Sequence, residues 1–92
     1  MNATLETFQQ EVLDASFKTP ILVDFWAVWC QPCHILGPVL EKLEKEANGK
    51  LKLVKVNTDE EPELSQHFQI RSIPAVKLFE CVANPRFCFY LP

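Results

Sequence analysis

The sequence lacks features that mark several large classes of protein. It has no cluster of basic side chains, and its formal net charge is -3 at pH 7. Nucleic acids and anionic membranes are bound through basic patches, so we expect neither as a partner. No run of about 18 apolar residues is present, so no membrane-spanning helix is expected. The N-terminal MNATLETFQQ has no basic region followed by an apolar one. We therefore expect no signal peptide and a cytoplasmic location.

The composition is that of one small folded domain. The chain has 92 residues, of which 48% are hydrophobic and 23% are charged. This is enough for one modest core, and we expect a single domain over residues 1–92. A reducing cytoplasm disfavours a permanent disulfide framework and favours a working thiol pair.

A pair of cysteines marks the most informative position in the chain. Cys30 and Cys33 lie where an apolar run ends and helical spacing begins. The unpaired N–H groups and the dipole at a helix start favour the thiolate, which is the form that attacks disulfides. Pro32 suits the first helical turn and helps to bring both sulfurs within bonding reach. The sequence predicts a dithiol that closes into a disulfide and reopens.

A zinc half-site is the alternative for cysteines at this spacing. Structural zinc needs a complete tetrahedral ligand set at characteristic short spacings. Cys81 and Cys88 are seven positions apart, His34 adjoins the first pair and His67 is isolated. These residues do not match such a set, so we expect no metal.

Asp24 is the one charge in the apolar run from Ile21 to Trp29, which we interpret as a strand covered on both faces. A carboxylate removed from water either finds a partner or has its pKa raised. A raised pKa would suit a proton carrier. The alternative is a wet strand end with no chemical role.

The stretch DFWAVWCQPC resembles the active-site sequence of the thioredoxin family. It departs from the usual pattern at Gln31, where the family usually has Gly, and at His34, where Lys is common. The later stretch VKVNTDEEPELSQHFQIRSIPAVKLF resembles the family's third strand, third helix and Ile-Pro loop. The resemblance covers residues 8–79, and residues 80–92 form an atypical tail.

This resemblance implies an α/β, thioredoxin-like fold with three layers, α/β/α, around a mixed sheet. The residues before the first helix, which we expect to begin at Asn2 or Thr4, allow only a vestigial first strand. The tail leaves no residues for the last helix, although residues 86–91 could form a final strand after a turn at Asn84-Pro85. The uncovered sheet face could be hidden in a homodimer or swapped assembly or by another molecule, or the chain could be truncated or altered.

Other local patterns place the remaining elements. Apolar spacing predicts a helix after Cys30 with a surface pair between Glu41 and Lys45, and the next strand is expected over residues 51–56. The resemblance implies a further strand over residues 75–80. Thr58 and Glu61 have capping-box spacing ahead of a helix over residues 62–68.

The resemblance also implies roles for individual residues. Cys30, exposed at the helix start, is the expected nucleophile, Cys33 the resolving cysteine and Asp24 the acceptor of its proton. Lys55 matches the lysine that tunes this aspartate. The residues expected to contact the substrate are Trp29, Gln31, Pro32, Ile73 and Pro74, with Pro74 in the cis form.

The implied function is that of a thiol–disulfide oxidoreductase that reduces protein disulfides through a mixed disulfide. No bound cofactor is expected, and a flavoprotein of the thioredoxin reductase type would supply electrons from NADPH. The alternative is a thioredoxin-fold binding or chaperone module with an idle dithiol, which the apolar tail favours. Cys81 and Cys88 could form a bridge or remain free thiols.

Overall fold

The structure is a computed structural model that describes residues 2–81 and the backbone of residues 88–91. Its elements in chain order are a π-helix (Gln9–Asp14), a 3-10 helix (Ala15–Phe17), β1 (Ile21–Trp26), α1 (Gln31–Glu46), β2 (Lys52–Asn57), α2 (Pro62–His67), β3 (Ala75–Cys81) and β4 (Cys88–Leu91). The strands form one sheet in the order β2-β1-β3-β4. β1 is parallel to β2 and antiparallel to β3, and β4 is antiparallel to β3. The predicted α/β class and mixed sheet are confirmed.

The central strand β1 is shorter than the apolar run predicted. It ends at Trp26, because the Cys30 N–H donates to the Ala27 carbonyl at 3.1 Å and closes a turn. This turn brings Val28 and Trp29 to the surface, where they are 67% and 68% exposed. The turn also places Cys30 directly before α1.

One face of the sheet packs against the N-terminal helical segment and α2. Four phenylalanine rings meet there with centroid distances between 5.3 and 6.1 Å. All four are buried, and we call this surface the aromatic face (Phe8, Phe25, Phe68 and Phe79). It is part of the larger apolar core of the described residues.

The opposite face of the sheet lies under α1 and carries ionisable groups. Asp24 and Lys55 are register partners across β1 and β2. Glu41 of α1 reaches Lys55, and we call these three residues the charged face. Glu44 Oε2, further along α1, accepts a hydrogen bond from the Leu53 N–H at 2.8 Å and joins the helix to β2.

The side of α1 that faces the sheet is not the side that carries most of its large apolar residues. Its buried residues are Cys33, Gly37 and Leu40. Three large apolar residues are instead exposed, namely Ile35 at 73%, Val39 at 52% and Leu43 at 46%. The predicted pair of Glu41 with Lys45 is wrong, because Glu41 contacts Lys55.

The N-terminal segment is less regular than the predicted helix. The Thr4 carbonyl accepts hydrogen bonds from the N–H groups of Thr7 and Phe8, and the π-helix and 3-10 helix follow. The first strand is reduced to one parallel bridge between Asn2 and Lys55. A vestigial first strand was the expectation.

The predicted capping box of Thr58 and Glu61 is wrong. The capping box does not form, because Thr58 Oγ1 donates to the Trp26 carbonyl and Glu61 Oε1 accepts from the Leu5 N–H. α2 nevertheless begins at Pro62. The turn predicted at Asn84-Pro85 lies outside the described residues, and no helix follows β3 within them.

Candidate active site

The two active-site cysteines are joined in a disulfide at the start of α1. Cys30 is the N-cap of the helix, and its Sγ accepts a hydrogen bond from the Cys33 N–H at 3.2 Å. We expected Cys30 to be exposed, but it is only 3% exposed, and Cys33 is 4% exposed. The expectation was wrong for this disulfide form because Trp26 and Ile73 pack against the cysteines.

The loop before β3 contacts the disulfide through Ile73. Ile73 packs against the cluster that contains both cysteines, and the Ile73-Pro74 peptide bond is cis. The fold thus brings Ile73, which is about forty positions away along the chain, beside the disulfide. No sequence spacing shows this contact.

Asp24 lies beneath the same site and is 1% exposed. Its Oδ1 has no hydrogen-bond partner among the described residues. Asp24 and Cys33 both line a cavity of about 320 Å³, together with Glu41 and Lys55. Burial raises the pKa of Asp24, while Lys55 lowers this pKa and Glu41 raises it further. The site therefore holds a buried carboxyl group with a raised pKa in the cavity that Cys33 also lines.

Lys55 stands between two carboxyl groups. Its Nζ donates to Glu41 Oε1 at 2.7 Å, and this hydrogen bond lowers the pKa of Glu41. A methyl group placed on Gly37 would lie 3.5 Å from this Nζ, so the ammonium passes close to the helix.

Trp29 is the most exposed aromatic residue at the site. Its Nε1 donates to Asp59 Oδ2 at 2.9 Å, which fixes the ring although 68% of the residue is exposed. Trp29 and Ile73 line a groove of about 330 Å³ that continues along α2 past Pro62 and Ser65. The predicted contact residues Gln31 and Pro32 are also exposed.

The His34 side chain is held by contacts with Val28 and Trp26. Its Nε2 lies 2.6 Å from the Val28 carbonyl oxygen, and because a carbonyl only accepts, Nε2 is the donor. The ring also meets Trp26 edge-on, with 6.3 Å between centroids. Trp26 Nε1 is buried with no hydrogen-bond partner among the described residues.

The sequence interpretation gave no site role to Asp59 or Glu41. Asp59 could have been found, because β1 and β2 are parallel and the loops that follow them meet at one edge of the sheet. Glu41 gave no comparable signal. Its contact with Lys55 depends on how α1 lies over β2, which spacing along either element does not show.

Cys81 lies outside the active-site pair, at the end of β3. Cys81 is disulfide-bonded, its backbone register partner is Cys88, and its Sγ lies 2.9 Å from Ser16 Oγ. Within residues 2–81 and 88–91, no three His, Cys, Asp or Glu side chains gather where they could hold a metal ion. The helices described in the structure are all too short or too polar to cross a bilayer.

A disulfide at a helix start, packed against Ile73 at the border of a groove, places the chain in the class of small thiol–disulfide oxidoreductases. The thioredoxin family model matches residues 1–86. Thioredoxin 1 from Nostoc sp. is 49% identical over 77 residues, which cover 84% of this chain and 70% of the relative. Thioredoxin from Rickettsia bellii is 47% identical over 79 residues, covering 86% and 73%.

A solved structure gives the same result for the fold. The crystal structure of the Trx4 domain of ERdj5 matches with a TM-score of 0.87 and 31% identity, and covers 99% of this chain and 78% of that one. The chain belongs to the thioredoxin family. Its relatives support thioredoxin-like disulfide oxidoreductase activity, and the redox-active disulfide that this activity needs is present.

Proposed function

We propose that the protein reduces disulfides in other proteins by cycling Cys30 and Cys33 between dithiol and disulfide. The observation that carries this proposal is the Cys30–Cys33 disulfide at the start of α1, with the buried Asp24 lining the same cavity as Cys33. The disulfide form is one end of the cycle, and the cavity offers a place for the proton of the second thiol.

The first step is attack by the Cys30 thiolate on a substrate disulfide. The N-cap position and the hydrogen bond from the Cys33 N–H both favour a negative sulfur at Cys30. One substrate sulfur bonds to Cys30 Sγ in a mixed disulfide. The other substrate sulfur leaves as a thiolate and takes a proton from solvent.

The second step releases the substrate. Cys33 gives its proton to Asp24, and its thiolate attacks Cys30 Sγ, so the mixed disulfide breaks and the Cys30–Cys33 bond forms. The second substrate sulfur leaves as a thiolate and takes a proton from solvent, and Asp24 then returns the Cys33 proton to solvent. The substrate gains two electrons and two protons, and the chain loses two electrons. The raised pKa of Asp24 suits this transfer, since an ordinary carboxylate would be too weak a base for a thiol.

The substrate lies across the exposed side of the site in this proposal. Trp29 and Ile73 border the groove, and Gln31 and Pro32 offer exposed contacts before α1. An extended peptide would pair with the backbone beside Pro74, as an added strand does at a sheet edge. Lys55 tunes Asp24 from the cavity that both residues line with Cys33.

Regeneration of the dithiol completes the cycle. We assign this step to a flavoprotein of the thioredoxin reductase type that passes electrons from NADPH in the cytoplasm. The thioredoxins to which the chain is similar support this partner class. The chain itself contributes Cys30 and Cys33 as the only redox groups in this proposal.

A homodimer is the proposed way to cover exposed apolar surface. The expected surface is the sheet face predicted to be uncovered, and the exposed stripe of α1, formed by Ile35, Val39 and Leu43, adds further apolar surface. Sedimentation velocity over a concentration series tests it, with Val39→Asp as the variant. A dimer that Val39→Asp converts to monomer supports the proposal, and a wild-type monomer at all concentrations contradicts it.

Insulin reduction tests the proposed function. Dithiothreitol supplies electrons, and turbidity reports the freed chain, in a background with Cys81→Ser and Cys88→Ser. We expect turnover that Cys33→Ser and Cys30→Ser each reduce to the rate of dithiothreitol alone. Circular dichroism of each variant serves as the folding control. No turnover by the folded background protein would contradict the proposal and favour the binding-module alternative.

A further inference from the structure

We propose that Glu41 is a positioning residue that draws the Lys55 ammonium toward the helix surface and so weakens its hold on Asp24. The proposal rests on the proposed function only in giving Asp24 a proton to carry. It assigns a task to a side chain outside the family motif, on an element that contributes the cysteines.

The contacts of Lys55 carry the first step. The register of β1 and β2 sets Lys55 directly beside Asp24 on the same face of the sheet. A lysine placed there would ordinarily pair with the buried carboxylate. Its Nζ instead donates to Glu41 Oε1 at 2.7 Å, and Asp24 Oδ1 has no hydrogen-bond partner among the described residues.

Exposure explains why the lysine can be drawn outward. The Lys55 side chain is 25% exposed and that of Glu41 is 56% exposed, so the pair sits at the mouth of the cavity. Asp24 lies inside it at 1% exposure. An ammonium loses less hydration in the outer position. Gly37 of α1 lies beside the lysine, since a Cβ placed there would be 3.5 Å from Lys55 Nζ.

Among the described groups around Asp24, the charged ones are Lys55 and Glu41. From α1, Cys33 and His34 also line the cavity, and His34 is bonded to the Val28 carbonyl. From β3, the register partner of Asp24 is the apolar Val76. Lys77 pairs in register with Val23, and so falls on the opposite face of the sheet.

The sign of the effect follows from these charges. Lys55 lowers the pKa of Asp24, and Glu41 raises it. Replacing Glu41 by Gln removes a negative charge near Asp24 and releases Lys55 to approach it. Both changes stabilise the carboxylate, so Asp24 should ionise at lower pH.

The test is the titration of the Asp24 carboxyl carbon by NMR in the full-length oxidised protein. In Glu41→Gln the midpoint should move to lower pH. Glu46→Gln is the matched control, because Glu46 lies on the same helix and pairs with Lys42 at 4.0 Å on the surface. It should leave the midpoint within experimental error. An unmoved midpoint in Glu41→Gln, or an equal shift in Glu46→Gln, would overturn the proposal.

A double-mutant cycle tests whether Glu41 acts through the lysine. Lys55→Met alone should raise the Asp24 midpoint. In the Lys55→Met background, the shift caused by Glu41→Gln should shrink to less than half. A shift of full size would show a direct charge effect and overturn the positioning role. The titration needs no turnover, so failure of insulin reduction would count against the proposed function and leave this result to stand or fall by itself.

Discussion

The two faces of the sheet are built from the same strands but have different tasks. On the aromatic face, β1 places Phe25 among buried rings that only pack. On the charged face, the adjacent Asp24 lies under α1 with Lys55 and Glu41 around one cavity. Successive side chains of a strand point to opposite faces, so neighbouring residues in β1 enter different environments. Core packing and the proposed proton chemistry are thereby separated by a single step along the chain.

This comparison sets the expected outcome of substitutions. A change on the aromatic face should lower the free energy of unfolding and leave the reaction of the folded protein intact. A change on the charged face should alter pH dependence and leave packing nearly intact. A variant that did both would break the separation.

Phe79→Ala should have the largest effect on stability. Phe79 is 1% exposed and contacts the rings of Phe8 and Phe68. Loss of the ring removes apolar burial and leaves a cavity, so we expect the free energy of unfolding in urea to fall by about 3–5 kcal/mol. A loss below about 1 kcal/mol would contradict the assignment of this face as the main core.

The milder Phe79→Leu keeps much of the packing and serves as the activity control. It should reduce insulin at the wild-type rate per folded molecule. A loss of turnover well beyond the loss of folded protein would show that the aromatic face also shapes the site.

Asp24→Asn should raise stability at neutral pH. Because burial raises the pKa of Asp24 in the folded state, the unfolded chain ionises first as pH rises. The wild type therefore loses stability from about pH 4 upward until the folded carboxyl has also ionised. The variant does not ionise, and we expect it to be more stable by about 1–3 kcal/mol at pH 8.

Urea unfolding at several pH values measures this difference. The advantage of Asp24→Asn should vanish below about pH 4, where both states of the wild type are protonated. An advantage that is the same at every pH would contradict a raised pKa as its cause. Insulin reduction by this variant should be slower at neutral pH, since Cys33 loses its proton acceptor.

Asp59→Ala should have the smallest effect on stability. It removes the hydrogen bond from Trp29 Nε1 at an exposed position, and such bonds contribute about 1 kcal/mol or less. The freed ring should broaden and shift the tryptophan emission and raise KM for insulin more than it lowers kcat. An unchanged KM would contradict the proposed contact between Trp29 and the substrate.

Features with their own local signal could be predicted from the sequence. Cys30, Pro32 and Cys33 combine helix-start chemistry with a spacing suited to a disulfide, and Asp24 stands out as a charge in an apolar strand. The spacing of apolar residues indicated single helices and strands, and the family resemblance supplied their α/β arrangement.

Features that depend on how elements pack could not be predicted in this way. The pairing of Glu41 with Lys55 depends on the placement of α1 over β2, and local helix spacing favoured Lys45 instead. The burial of Cys30 depends on Ile73 arriving from a distant loop. β1 ended three residues early because a backbone turn competes with strand propensity at Ala27.

The most direct test of the central claim is to trap the mixed disulfide. The Cys33→Ser variant, in the Cys81→Ser and Cys88→Ser background, is mixed with a short peptide disulfide and its intact mass is measured. We predict one peptide bound through Cys30, released by dithiothreitol, and no such adduct in Cys30→Ser. The account would be contradicted if the folded Cys33→Ser variant formed no adduct. It would also be contradicted if the Cys30→Ser variant formed an adduct on Cys33 and the Cys33→Ser variant formed none.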